Sequence, residues 1–175
     1  SIVGETSPHG LYGFGARTVD VLGIAGVAHA IGLASDMGEC MWAADVELTT
    51  VAEDEVSIDW TKIATDTVVA VGGPTVNMFT AYYSPVNRTG YEGCPFYLYW
   101  IRGVKAVVKS DLTGHEYGSA WATMDHAIIA LHYDVYAGKW VLIAWGLTGY
   151  GSQAACLILQ HYADFSHLLR GKAVI

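Results

Sequence analysis

Cations are scarce in this sequence. Only 9 Lys and Arg stand against 17 Asp and Glu in 175 residues, a formal net charge of −8, and charged residues of either sign make up 15% of the chain. So few cations leave no electrostatic footprint for a phosphate backbone, which argues against nucleic acid as a partner and against an anionic membrane surface. A membrane-crossing run is missing too: Val21–Ser35 contains His29 and three glycines and is too short and too broken to span a bilayer. Cysteine is few in number and has no pattern. Cys40, Cys94 and Cys156 are odd in count, widely spaced and without a C-x-x-C, so they define neither a disulfide framework nor a zinc site. One bridge plus a free thiol, or three buried thiols, both remain open. No secretory leader is visible, and the chain opens at Ser1 without Met and stops on the strand-like Ala173-Val174-Ile175. It is expected to be a piece of a longer protein.

Completed catalytic motifs are lacking as well. Ser152 is flanked by Tyr150 and Ala154 where a G-x-S-x-G elbow requires glycines, and no P-loop lysine follows a glycine cluster. His126 and His132 share a strand face, and His161 and His167 lie near a helix end, but neither pair has a metal-ligand spacing. Asp125-His126 invites an acid–base role with Cys94 or Cys156 as nucleophile, yet nothing local brings these groups together. The acidic cluster Glu53-Asp54-Glu55 is either a solvated turn or a weak cation site. The expectation is therefore no catalytic residue, no metal and no cofactor.

What the chain does have is apolar and aromatic. Hydrophobic residues make up 53%, with 20 Gly, 11 Tyr and 6 Trp, enough for a sizeable core and a composition that leans extracellular. Residues 17–34 carry apolar side chains near helical spacing, although each glycine inside such a helix costs about 1 kcal/mol relative to Ala. Those glycines are expected at close approaches to another element. Residues 45–60 alternate apolar and polar, which predicts two exposed strands joined by the acidic turn. Thr67–Val71 is a continuous apolar run, the pattern of a strand covered on both faces, and it ends in Gly72-Gly73-Pro74. Pro74 fits a first helical turn, so Thr75–Tyr83 is expected to be helical. Further on, 96–101 and 104–109 predict a hairpin turning at Arg102-Gly103, and 126–133 and 139–145 predict strands joined around Gly138. Residues 152–163 predict a helix with Ser152 as N-cap, and 172–175 a closing strand. These elements predict an α/β fold with a mixed, largely parallel sheet, flanking helices and a β-rich aromatic middle section. The whole of 1–175 is expected to form one α/β domain, with 1–65 as a candidate separate lobe.

Two local patterns suggest binding or modification. Gly149-x-Gly151-x-x-Ala154 matches the dinucleotide loop between a strand and a helix, where free N–H groups and the helix dipole favour a phosphate, so Gly149, Gly151 and Ser152 form a candidate phosphate loop. No acidic residue follows about twenty positions on to hold a ribose. A tight strand-to-helix turn explains the same glycines. Asn87-Arg88-Thr89 is an N-glycosylation acceptor on a turn beside Pro85 and Gly90.

Thr67–Tyr83 (TVVAVGGPTVNMFTAYY) and Gly138–Ile175 (GKWVLIAWGLTGYGSQAACLILQHYADFSHLLRGKAVI) together resemble the archaeal S-layer protein domain. In that family an apolar strand runs into V-G-G-P-x-V-N, and a later strand runs into a glycine-bearing loop and an alanine-rich helix. Ser152-Gln153-Ala154-Ala155 and Leu169-Arg170-Gly171 occupy the family's T-x-A-A and L-x-G places, while Leu147–Gly151 departs from its more acidic loop. The resemblance implies an extracellular cell-surface building block that self-assembles with other copies or domains of the same envelope protein. It supplies no catalytic residue. Gly72-Gly73-Pro74 and Asn77 would then be turn and cap geometry, and Phe96, Tyr97, Tyr99 and Trp100 a candidate assembly surface. The rival is a nucleotide- or phosphate-binding α/β enzyme using the 146–154 loop; a carbohydrate-binding surface domain is a third option.

Overall fold

The computed structural model describes residues 1–34, 41–87, 95–118 and 123–169. The chain opens with β1 (Ile2–Val3), α1 (Thr18–Ala34), β2 (Ala43–Ala44) and the single turn α2 (Asp45–Leu48). Next come β3 (Thr49–Ala52), β4 (Glu55–Ile58), β5 (Thr67–Val71) and α3 (Met78–Tyr83). The aromatic middle supplies β6 (Phe96–Ile101), β7 (Lys105–Ser110) and β8 (Glu116–Gly118). The last part supplies β9 (Ala127–Asp134), β10 (Lys139–Gly146), α4 (Gly149–Gln160) and α5 (Tyr162–Leu169).

A five-stranded sheet in the order β2-β1-β5-β10-β9 forms the centre, parallel except for β9, which runs antiparallel to β10. The fold is thus α/β with a mixed, largely parallel sheet. The β6-β7-β8 sheet and the β3-β4 hairpin are antiparallel. The run TVVAV makes β5 a strand because β-branched side chains suit a pleated surface, and its period of two feeds both faces. Val69 and Val71 pack with Ile24 and Val27 of α1, Ala144, and Ala155 and Cys156 of α4. Val68 and Ala70 point the other way, into a larger core with Phe79 and Tyr83 of α3, Phe96, Leu98, Val108, Ile143 and Trp145. Each large side chain fully buried there contributes about 1.5–3 kcal/mol. The helices α1 and α4 lie against each other, and Gly23 lets them: a Cβ at that position would sit 2.6 Å from Cys156 Sγ. Gly23 and Gly26, which faces the Gln160 side chain, thus have the close-approach role expected of the α1 glycines, and Gly32, with nothing near it, does not.

The turns of the hairpins follow the expected chemistry. Gly103 and Gly138 adopt φ of +73° and +66° at the β6-β7 and β9-β10 connections. Other expectations need correction. Residues 45–48 form a helical turn and not a strand, because Asp45 is drawn inward as a fully buried acceptor; the exposed hairpin begins only at Thr49. Helix α3 starts at Met78, three residues later than Pro74 suggested, because Gly73 O takes the amides of Val76 and Asn77 in a turn and Asn77 is the N-cap. Helix α4 is capped by Thr148, not by Ser152, which lies buried in the first turn. Residues 1–65 do not stand apart as a lobe, since β1, β2 and α1 build the central sheet and its helical layer. The predicted strand 172–175, Cys40 and Cys94 lie outside the described residues. Among the described residues, no helix is long and apolar enough to cross a membrane.

Candidate functional site

In open α/β sheets, ligands bind beyond the carboxyl ends of the strands, where neighbouring connections leave in opposite directions. Here that point lies between β1 and β5. From β1 the chain passes through α1 to β2 on one side, and from β5 it reaches β10 on the other. The two helices that follow these strands, α1 and α3, pack in different cores on opposite faces. The ground for a binding crevice is therefore present.

The chain fills this ground itself. Residues 5–16 form a loop closed at its base by Ala16 N donating to Glu5 O at 2.8 Å, and Gly4 abuts the Val76 carbonyl so closely that a Cβ would lie 1.9 Å from its oxygen. The fully buried Asp45 carboxylate joins three segments. Oδ1 accepts Glu5 N at 2.7 Å, and Oδ2 accepts Met78 N at 2.6 Å and faces His9 Nε2 at 2.9 Å. Asn77 does the rest: Oδ1 accepts Phe79 N and Thr80 N, while Nδ2 donates to Val71 O at 2.9 Å. The turn between β5 and α3 is thereby tied back to the strand it leaves, and Gly72 at φ +107° supplies a bend that side-chain-bearing residues rarely make. Turn and cap geometry is thus what Gly72 and Asn77 provide.

The second glycine loop repeats the pattern. Asp125 Oδ2 accepts Gly151 N at 2.7 Å and Thr148 N at 3.2 Å, and it also takes the Thr148 hydroxyl proton; Thr148 Oγ1 in turn accepts Tyr150 N. Ser152 Oγ accepts Gly146 N at 3.2 Å and bonds to the Asp20 carboxyl. Burial pushes the Asp20 carboxyl above its usual range, against the opposing pull of the Arg17 amide, the Ser152 hydroxyl and the Arg17 charge. The spacing of Gly146 and Gly151 is steric: a Cβ on Gly146 would lie 2.3 Å from the Gly151 carbonyl carbon, and one on Gly151 2.5 Å from His126 O. Of the candidate phosphate loop, then, Gly151 gives its N–H to Asp125, Ser152 faces inward, and Gly149 packs against Val19. A carboxylate of this chain sits where an incoming anion would be held, and it would repel one.

The aromatic candidates divide between two faces of β6. Phe96 is 5% exposed and belongs to the core, so it is corrected from surface to interior. Trp100 packs on that core and is flanked by Phe14 and Tyr12, at ring separations of 5.9 and 6.5 Å. Tyr97 and Tyr99 point the opposite way, where Lys109 Nζ lies 4.2 Å from the Tyr99 ring and both Lys105 and Lys109 bond to Glu116. Asn87 is exposed at φ +62°, and its amide group bridges the backbone N and O of Trp100. Arg88 and Thr89 lie outside the described residues.

Among the described residues the acid–base option is not assembled; Cys94 lies outside them. Asp125 is spent on the α4 cap, and the Cys156 thiol is buried and pushed up to about 12, by burial first and by the Asp20 charge second. His126 and His132 are half-buried beside aromatic rings, whereas His161 and His167 are exposed. The acidic turn Glu53-Asp54-Glu55 is exposed, and no metal-competent group of acidic, His or Cys side chains occurs among the described residues. Sequence reasoning missed Asp45, Asp20 and His9. No local pattern marks Asp45, because its partners lie 33 to 40 positions away. The nearest available signal for Asp20 is its place three residues after Arg17, whose amide it accepts, the reciprocal half of a capping box.

The comparisons with known proteins add nothing to this geometry: no protein-family model, no curated protein and no solved structure matches the chain.

Proposed function

We propose that this chain is a structural module of an archaeal surface layer or related cell-envelope protein, placed outside the cell and acting by self-assembly with other copies or domains of that protein, not by catalysis. The observation that carries the proposal is the self-occupied carboxyl edge of the sheet. First-turn amides of α3 and α4 are already given to Asp45, Asn77, Asp125 and Thr148. The acidic, lysine-poor composition and the resemblance of the two glycine-turn segments support the same proposal.

Exposed apolar side chains supply contact area for assembly. Trp100, packed on the core beneath Tyr12 and Phe14, is removed from the proposed surface, whereas Tyr97 and Tyr99, on the face of β6 turned away from the core, remain in it. To them the β9-β10 hairpin adds Leu131, Val135 and Tyr136, which are 63%, 75% and 85% exposed. A glycan on Asn87 belongs to the proposal, and mass spectrometry of protein taken from a native envelope tests it. The main test is paired. Concentration-dependent association seen by sedimentation and electron microscopy is expected, and Tyr136→Ser, at an exposed position of the proposed surface, should weaken it. A thermal-shift screen with NAD, ATP, FAD and phosphate should show no stabilisation. A gain of about 2.7 kcal/mol at a hundredfold excess over Kd would return the 146–154 loop to ligand binding and overturn the proposal.

A further inference from the structure

The imidazole of His9 has an acceptor on each side. Nδ1 lies 2.8 Å from Ser7 O and Nε2 lies 2.9 Å from Asp45 Oδ2. A carbonyl oxygen only accepts, and a carboxylate only accepts, so both ring nitrogens donate here; among the forms of histidine, only the imidazolium does that. The Asp45 oxygens are committed to Glu5 N and Met78 N as well, and the carboxylate is fully buried. If the ring loses a proton, either Ser7 O or this buried carboxylate is left facing a nitrogen lone pair, which is repulsive and unsolvated.

His9 sits in the part of the loop that covers other elements. Its carbonyl accepts Gly13 N at 3.1 Å and its amide donates to Phe14 O at 3.4 Å, so it fixes the turn that lays Tyr12 and Phe14 against Trp100. Gly10 of the same turn rests on the Met78 side chain. The base of the loop is secured separately, by Ala16 N to Glu5 O. Residues 6–15 can therefore lift as a unit without disturbing β1, the kind of local opening that compact surface loops undergo.

We propose that the His9–Asp45 pair is a pH-operated latch: doubly protonated, the ring holds residues 6–15 across α3 and Trp100, and loss of one ring proton releases that loop and uncovers Trp100. The ionisable groups acting on His9 all favour the closed form. Asp45 comes from α2 and Glu5 from the loop itself, both negative, and α3 contributes the uncharged Met78 amide that shares the Asp45 oxygen. Burial pulls the ring toward neutrality, but the Asp45 and Ser7 hydrogen bonds and the Asp45 and Glu5 charges outweigh it and raise His9 above its usual range. The sign follows: the stabilisation is complete below the ordinary histidine value of about 6.5 and is lost as pH climbs through the raised folded-state value. The latch depends on no particular partner and holds whether or not the chain assembles into a coat.

The test uses the whole chain. Nitrogen NMR of the His9 ring and amide hydrogen exchange of residues 6–15 are recorded at about pH 5.5 and about pH 8.5, with exchange corrected for its intrinsic pH dependence. Both ring nitrogens should be protonated at the lower pH. At the higher pH, exchange in 6–15 should rise about tenfold relative to β5 and β10, with a matching rise in oxidative labelling of Trp100. His9→Gln, which keeps a donor but cannot titrate, should abolish the pH difference. A singly protonated ring at the lower pH, or equal protection of 6–15 at both, overturns the proposal, and both readouts come from the unaltered protein even if the variant fails to fold.

Discussion

Removing the Asp45 carboxylate would strand the buried Met78 N–H, the half-buried Glu5 N–H and the His9 imidazole at once, because all three converge on it. Asp45→Ala is therefore expected to cost about 3–5 kcal/mol, read as a lowered urea midpoint with an unchanged slope. Asp45→Asn should be nearly as damaging, since its amide turns one acceptor into a donor facing a donor. Cys156 gives a second residue-scale prediction. A thiol pushed up to about 12 and shielded by α1 has almost no thiolate at neutral pH. It should resist iodoacetamide in the folded chain and react only after denaturation; prompt labelling of native Cys156, followed by mass spectrometry, would contradict its burial. A buried thiol at Cys156 was one of the readings the sequence left open, whereas the role of Asp45 was not legible, because its contacts are made across the fold.

Elements were legible where the signal is local. The continuous apolar run of β5, the spacing of α1 and the left-handed glycines at the two hairpin turns all act within a few residues, and the structure has them. Helix starts were less so: Pro74 and Ser152 each suit a first turn, but Asn77 and Thr148 reach the first-turn amides with side-chain oxygens and set the true ends. The candidate site failed for the same reason at longer range, since G-x-G spacing reads alike whether the glycines admit a phosphate or a neighbouring backbone. The distinction is testable. Gly151→Ala places a methyl against the His126 carbonyl and should cost about 3 kcal/mol in denaturant melts, with or without added nucleotide. A variant as stable as the parent would mean that α4 does not approach the start of β9 this closely.

At the scale of the whole molecule, two cores share one sheet, and the surface left over is rich in large apolar side chains. Leu131 lies opposite Leu142 in the β9-β10 ladder yet is 63% exposed, so Leu131→Asp should change stability by no more than about 0.5 kcal/mol while weakening self-association in sedimentation. A monomer before and after the change would remove the hairpin from the assembly surface. The location of β1 has a kinetic consequence. Ile2 is flanked by Ala43 and Ala70, so the innermost ladder joins residues far apart along the chain. Loop-closure entropy is met before these contacts offset it, and refolding from denaturant should occupy milliseconds to seconds instead of microseconds. During synthesis β1 meets β2 first and gains its other partner only once β5 has left the ribosome, and for that interval the edge that β5 will cover is available to any other unpaired strand.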